Sequence, residues 1–101
     1  MSWIDAGPAN LGDGETRSLA LGRRMVAVAR SGDEYFAIED VCTHDGGPLD
    51  QGELSGCQIM CPRHGALFDV TTGAALTLPA VIALPTYPVR VQGDDVYVED
   101  V

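Results

Sequence analysis

Both histidines of the chain and two of its three cysteines fall in two short groups, Cys42-Thr43-His44 and Cys61-Pro62-Arg63-His64, with sixteen residues between them. Each group offers one thiolate and one imidazole. If the two groups serve one centre, the fold must bring two separate loop tips face to face. That requirement constrains the architecture more than any other feature of the 101 residues.

The flanking sequence supplies a framework suited to such loops. Short apolar stretches alternate with glycine turns, and no stretch carries a long helical periodicity. Residues 16–21 and 24–29 flank Gly22-Arg23 and read as a hairpin. Residues 34–39, after Ser31-Gly32-Asp33, read as a third strand with Tyr35, Phe36 and Ile38 as its apolar content. Residues 58–60 and 66–70 are short apolar pieces on either side of the second Cys/His group, and Thr71-Thr72-Gly73 reads as a turn. Residues 87–91 and 96–101 flank Gly93-Asp94-Asp95. Val89, Val91, Val96 and Val98 recur with period two, the mark of a half-buried antiparallel hairpin. The expectation is a single all-β domain over residues 1–101, a sandwich or barrel of antiparallel sheets. Two loops, 42–47 and 61–65, project from it.

Composition narrows the function. Hydrophobic residues make up 46%, enough for one modest core and against disorder. The net charge is −9 with no lysine, which disfavours nucleic acid and anionic lipid and suits a basic face on another protein. Solubility alone is the plainer reading of that charge. No apolar run approaches the roughly 20 residues of a membrane span, and the N-terminus lacks the pattern of an export signal. A cytoplasmic protein independent of membranes is expected.

An odd cysteine count without an export signal argues against a disulfide framework, and clustered Cys and His then point to metal. A zinc finger usually pairs like ligands, whereas here each group is mixed. A 2Fe–2S cluster in which two His replace two Cys on one iron needs this supply. Zinc bound by the same four residues stays open as an interaction module without redox work. So does a plain reading of buried or disulfide-bonded cysteines and surface histidines. Cys57 fits neither group and is expected to be a small buried residue.

With these residues in view, the chain resembles the Rieske family. The matching positions are Cys42-Thr43-His44, Leu49, Gly52, Cys61-Pro62-Arg63-His64-Gly65, Phe68-Asp69 and Thr72-Gly73, with Leu78-Pro79 and Thr86-Tyr87-Pro88-Val89 downstream. The resemblance implies a Rieske-type fold with a cluster-binding subdomain. It also implies that Cys42 and Cys61 bind an inner iron, and His44 and His64 an outer iron near the surface. Respiratory members carry an additional cysteine in each loop; the comparable positions here are Gly47 and Arg63, so no such disulfide forms. High-potential members place Ser and Tyr hydroxyls where this chain has Ala66 and Phe68. Without donors to the sulfurs, the potential is expected toward the low end of the Rieske range, about −150 mV, and to fall at alkaline pH. Arg63, Asp45 and Asp50 are candidates for a docking rim, and Leu78-Pro79-Ala80 for a loop covering the cluster; a solvated side chain or a plain turn is the rival reading of each.

No nucleophile–base pair, phosphate loop or separate iron triad accompanies the cluster motif. The resemblance therefore implies a one-electron carrier rather than an enzyme. Its donor would be a flavin-containing ferredoxin reductase, and its acceptor a terminal oxygenase of the ring-hydroxylating dioxygenase type. A small subunit of a nitrite reductase and a role in iron–sulfur assembly are the rival roles with the same cofactor.

Overall fold

The structure is a computed structural model that describes residues 2–41, 49, 52–62, 65–78, 80 and 82–100. Among the described residues there are ten strands and no helix: β1 (Ser2–Pro8), β2 (Thr16–Leu21), β3 (Arg24–Ser31), β4 (Glu34–Glu39), β5 (Leu54–Ser55), β6 (Gln58–Met60), β7 (Leu67–Asp69), β8 (Thr86–Tyr87), β9 (Val89–Gln92) and β10 (Asp95–Asp100). They form three antiparallel sheets: a terminal sheet β1-β10-β9, a central sheet β2-β3-β4-β8 and a small sheet β5-β6-β7.

The central sheet lies between two apolar clusters, and β3 shows why. Its run Val26-Ala27-Val28-Ala29 is fully buried on both faces, so it reads as continuous apolar sequence rather than an alternation. Successive side chains nevertheless point to opposite sides. Val26 and Val28, with Ala37, join Val96 and Val98 of the terminal sheet in one cluster. Ala27 and Ala29, with Ile38, join Ile59, Phe68 and Cys61 of the small sheet in the other. The alanines on that side share their cluster with Phe68, the largest fully buried side chain. Each buried valine contributes roughly 1.5–3 kcal/mol relative to exposure.

The expected hairpins form. Gly22, Gly32 and Gly93 all take positive φ, 61°, 62° and 62°, where a side chain would be strained. Strand β1 is an addition to the sequence reading. Its residues do not alternate cleanly, and it exists because Ser2–Asp5 add to the edge of β10 before the register shifts between Asp5 and Pro8. The expected strand 87–91 is divided at Pro88. Tyr87 pairs with Ala37 in the central sheet, while Val89 pairs with Val98 in the terminal sheet. Proline has no N–H to continue a ladder, so the chain changes sheet there. Val91 is exposed rather than half-buried, whereas Val96 and Val98 are fully buried.

Four of the arginines have work within the framework. Arg17 donates to the carbonyls of Ala6 and Pro8 and to Asn10 Oδ1. Arg30 donates to the carbonyls of Leu11 and Gly32. Arg24 lies over the ring of Tyr87 and Arg90 over that of Trp3, at 5.3 and 4.4 Å.

Candidate metal centre

Cys61 follows β6 directly and opens the β6–β7 hairpin loop. Its side of the hairpin is set by the pairs Ile59↔Phe68 and Met60↔Leu67. Its backbone is fully committed: Cys61 N donates to Ala66 O at 2.7 Å, and Cys61 O accepts from Gly65 N at 2.9 Å. Gly65 closes this tight loop with φ 74°. The residue is fully buried among Leu49, Ala66, Phe68, Val70, Ala80 and Leu84. The expected loop 61–65 is therefore a hairpin tip whose first residue is fixed in an apolar pocket.

Cys42, His44 and His64 lie outside the described residues, as do Asp45, Gly47, Asp50, Arg63 and Pro79. The structure instead defines what flanks them. Residues 42–48 run between the end of β4 and Leu49, which is fully buried in the same cluster as Cys61. Gly52 N donates to Leu49 O at 2.8 Å. A Cβ on Gly52 would stand 1.9 Å from Met60 O and 3.1 Å from Leu49 O. Gly52 thus seats the exit of the first loop against the residue preceding Cys61. No bulkier residue permits that approach.

A second glycine fixes the segment that follows. Gly73 has φ 80°, and a Cβ there would meet Leu84 O at 2.1 Å. Leu84 N donates to Gly73 O, and Leu76 N to Leu67 O. Leu67 N donates to Thr77 Oγ1. These bonds pin Leu76 and Thr77 to the small sheet and Leu84 to Gly73; Ala80 and Leu84 are buried, while Leu78 and Ile82 are 79% and 62% exposed. Asp69 caps the preceding turn by accepting from the hydroxyl and N–H of Thr71, and these bonds hold its carboxyl below its usual pKa.

Two features escaped the sequence reading. Asp40, at the end of β4, is a buried carboxylate that accepts from Leu49 N at 2.7 Å. Its only signal in the sequence is its place two residues before Cys42. Cys57, expected to be buried, is exposed. It occupies the turn between β5 and β6, beside Gly56 at φ 59°, with Sγ 3.4 Å from Ser31 Oγ. The strand after it is three residues long and buries only Ile59, so the apolar cluster has no place for the turn.

The Rieske [2Fe-2S] domain model matches residues 2–88, and the chain belongs to that family. Ferredoxin CarAc of Metapseudomonas resinovorans is 41% identical over 78 residues, 77% of this chain and 73% of the relative. The 3-phenylpropionate/cinnamic acid dioxygenase ferredoxin subunit of Escherichia coli (strain K12) is 40% identical over 76 residues, 74% of this chain and 72% of the relative. Among solved structures, a chain in the complex of reduced oxygenase and oxidised ferredoxin of carbazole 1,9a-dioxygenase superposes with a TM-score of 0.91 at 37% identity. That match covers 95% of this chain and 91% of the other. The fold is accordingly the all-β Rieske fold, the cofactor is one 2Fe–2S cluster, and the protein is an electron carrier rather than an enzyme.

What is described of the site suits that group. A buried cysteine sulfur held at the start of a hairpin tip is a soft donor of the kind an iron–sulfur cluster takes. The Gly52 cradle draws the exit of the other cysteine-bearing loop to its side. Among the described residues no three potential ligands gather, so the full donor set rests on the sequence motif.

Proposed function

We propose that Cys42, His44, Cys61 and His64 hold the 2Fe–2S cluster, with the cysteines on the inner iron and the histidines on the outer. When bound, the cluster takes up and returns a single electron. The protein itself contributes the ligands, an apolar wall and the exclusion of water around Cys61. The observation that carries this reading is the burial of Cys61 beside the exit of the first loop, at the Gly52 contact.

The electron would come from a flavin-containing reductase and pass to a terminal oxygenase in the cytoplasm. Two features support this: the relatives are dioxygenase ferredoxins, and one close structural match was solved in complex with its oxygenase. Exposed Leu78 and Ile82, on the segment packed over the small sheet, offer apolar surface to a protein partner. No helix among the described residues is long and apolar enough to cross a membrane. Ala66 and Phe68 are both fully buried in the cluster that contains Cys61, and neither carries a hydroxyl. That supports a potential near the low end of the family's range, about −150 mV.

The test is electron paramagnetic resonance of the dithionite-reduced protein, with iron and acid-labile sulfide analysis and a midpoint titration. A low average g-value, its loss in Cys42→Ser and Cys61→Ser, and its persistence in Cys57→Ser are expected. A colourless zinc protein overturns the assignment, and a midpoint well above zero overturns the low-potential reading alone.

A further inference from the structure

The two faces of the small sheet differ. Leu54, Ile59 and Phe68 turn inward to the apolar cluster that holds Cys61. Their neighbours in sequence therefore point outward, and register sets those neighbours in two rows. Met60 pairs with Leu67. Leu76 N donates to Leu67 O on one side, and Met60 N donates to Glu53 O on the other. The first row is accordingly Glu53, Met60, Leu67 and Leu76. The second is Ser55, Gln58, Asp69 and Ala74, from the pairs Ser55↔Gln58 and Gln58↔Asp69 and the bond from Asp69 N to Ala74 O. A sheet face turned to water ordinarily carries polar residues, as most of the second row does. The first row does not: Met60 and Leu76 are 40% and 43% exposed on either side of half-buried Leu67. Leu78, two residues further on, adds to the exposed apolar surface.

The apolar row is the one nearer the hairpin tip. Met60 directly precedes Cys61, whereas Ser55 and Gln58 flank the β5–β6 turn at the other end. A protein seated on the row stands beside the tip, where an electron has the shortest distance to travel. Charge restricts the occupant. Among the described residues 52–62 and 65–78 the charged ones are Glu53 and Asp69, both acidic. A second copy of a chain with net charge −9 would set like charges against each other. We infer that the outer face of the small sheet, through Met60, Leu67 and Leu76, docks a redox-partner protein whose apolar patch is edged with lysine or arginine, Glu53 meeting that edge. The three apolar side chains form the desolvated centre of the interface, and Glu53 lies on its rim. The inference deepens the electron-carrier reading and rests on the cluster lying at the tip that Cys61 opens.

The probe is cytochrome c, a basic redox protein with lysines around an exposed haem edge. Its affinity for the intact holoprotein is measured by calorimetry at low ionic strength. Stopped flow then follows the passage of one electron from the reduced protein to the ferric haem. Ferricyanide, a small anion that needs no docking face, is the control oxidant. The double variant Met60→Gln/Leu76→Gln is expected to bind cytochrome c about fivefold more weakly or worse, and to reduce it correspondingly more slowly. Its g-values, midpoint potential and rate with ferricyanide should stay those of wild type. Glu53→Gln should slow the reaction with cytochrome c at low salt and converge on wild type at high salt. Val91→Gln, at an exposed apolar position of the terminal sheet, should behave as wild type. Wild-type affinity for cytochrome c in the double variant overturns the inference. So does an equal slowing with ferricyanide, or a wild-type dimer that the double variant dissolves, which would assign the face to a second copy. If the double variant does not accumulate, Leu76→Gln decides alone. A wild type without the reduced-state resonance of a 2Fe–2S cluster would instead overturn the cluster assignment, so the two failures are distinct.

Discussion

The two sides of the central sheet are built by different means. Toward the terminal sheet, strands of four to eight residues carry paired valines, and Val26, Val28, Val96 and Val98 interlock with no solvent exposure. Toward the small sheet, the strands run only two or three residues, too short to be held by their ladders alone. Backbone-to-backbone approaches at Gly52 and Gly73 secure that side, together with hydrogen-bonding side chains of Asp40, Asp69 and Thr77. One side gains stability from many interchangeable apolar contacts. The other gains position from a few contacts with little tolerance. A centre whose ligands come from separate loops needs the second kind and can rely on the first for its free energy.

Substitution at the glycines should break the small-sheet side most severely. Gly73→Ala adds a Cβ 2.1 Å from Leu84 O at a positive φ, and Gly52→Ala adds one 1.9 Å from Met60 O. Backbone lies on both sides of each contact, so no flexible side chain can yield. A loss of about 3 kcal/mol or more is expected at each. Gly52→Ala should lose iron while circular dichroism still reports the strands of the other two sheets. Full iron occupancy in Gly52→Ala would mean that the close approach does not position the loop.

The valine side should respond in the opposite sense. Val98→Ala removes two buried methyl groups and leaves a cavity in the terminal-sheet cluster, a loss of about 2 kcal/mol. Thermal unfolding should shift downward by several degrees. The visible spectrum and the midpoint potential should remain those of wild type, because none of the residues around Cys61 is touched. A changed potential would show that the two sides are less independent than their construction indicates.

The same contrast governs what was legible in the sequence. Strands β2 to β4 and β10 declare themselves through apolar content and glycine turns, because their stability is local and redundant. The Cys/His groups declare themselves through spacing, whereas the burial of Cys61 is set by the packing of the small sheet. Strand β1 is invisible because its pairing with β10 is set by tertiary contact across the whole chain. The change of sheet at Pro88 was hidden because Tyr87 and Val89 look alike to a periodicity argument. Asp40 is one of fifteen acidic residues, and its burial and its contact with Leu49 N, which distinguish it, appear only in the structure. Gly52 and Gly73 stood out as family landmarks, but the carbonyls that exclude any side chain come from residues distant in sequence.

The smallest predicted effect concerns how the small-sheet side responds to acid. Asp69 ends β7 and accepts from both the hydroxyl and the N–H of Thr71, at 2.6 and 2.8 Å. The Thr71 hydroxyl contributes most to lowering its pKa, and the Thr71 and Thr72 backbone bonds add to it against a small desolvation effect. A carboxyl whose folded pKa lies below its unfolded value releases its proton more readily when folded. Its stabilisation is fully present above the unfolded pKa, about 4, and is lost as pH falls through the lower folded value. Because Asp69 is only half-buried and the turn is solvated, the effect should be modest. Wild type should therefore lose slightly more stability between about pH 5 and pH 2 than Asp69→Asn. The difference should shrink in Thr71→Val, which removes the hydroxyl and keeps the N–H. Denaturant midpoints measured across that range decide it. Parallel curves for wild type and Asp69→Asn would show that the turn before Gly73 is held by its backbone alone, and that the segment reaching Leu84 owes its place to the glycine rather than to the carboxylate.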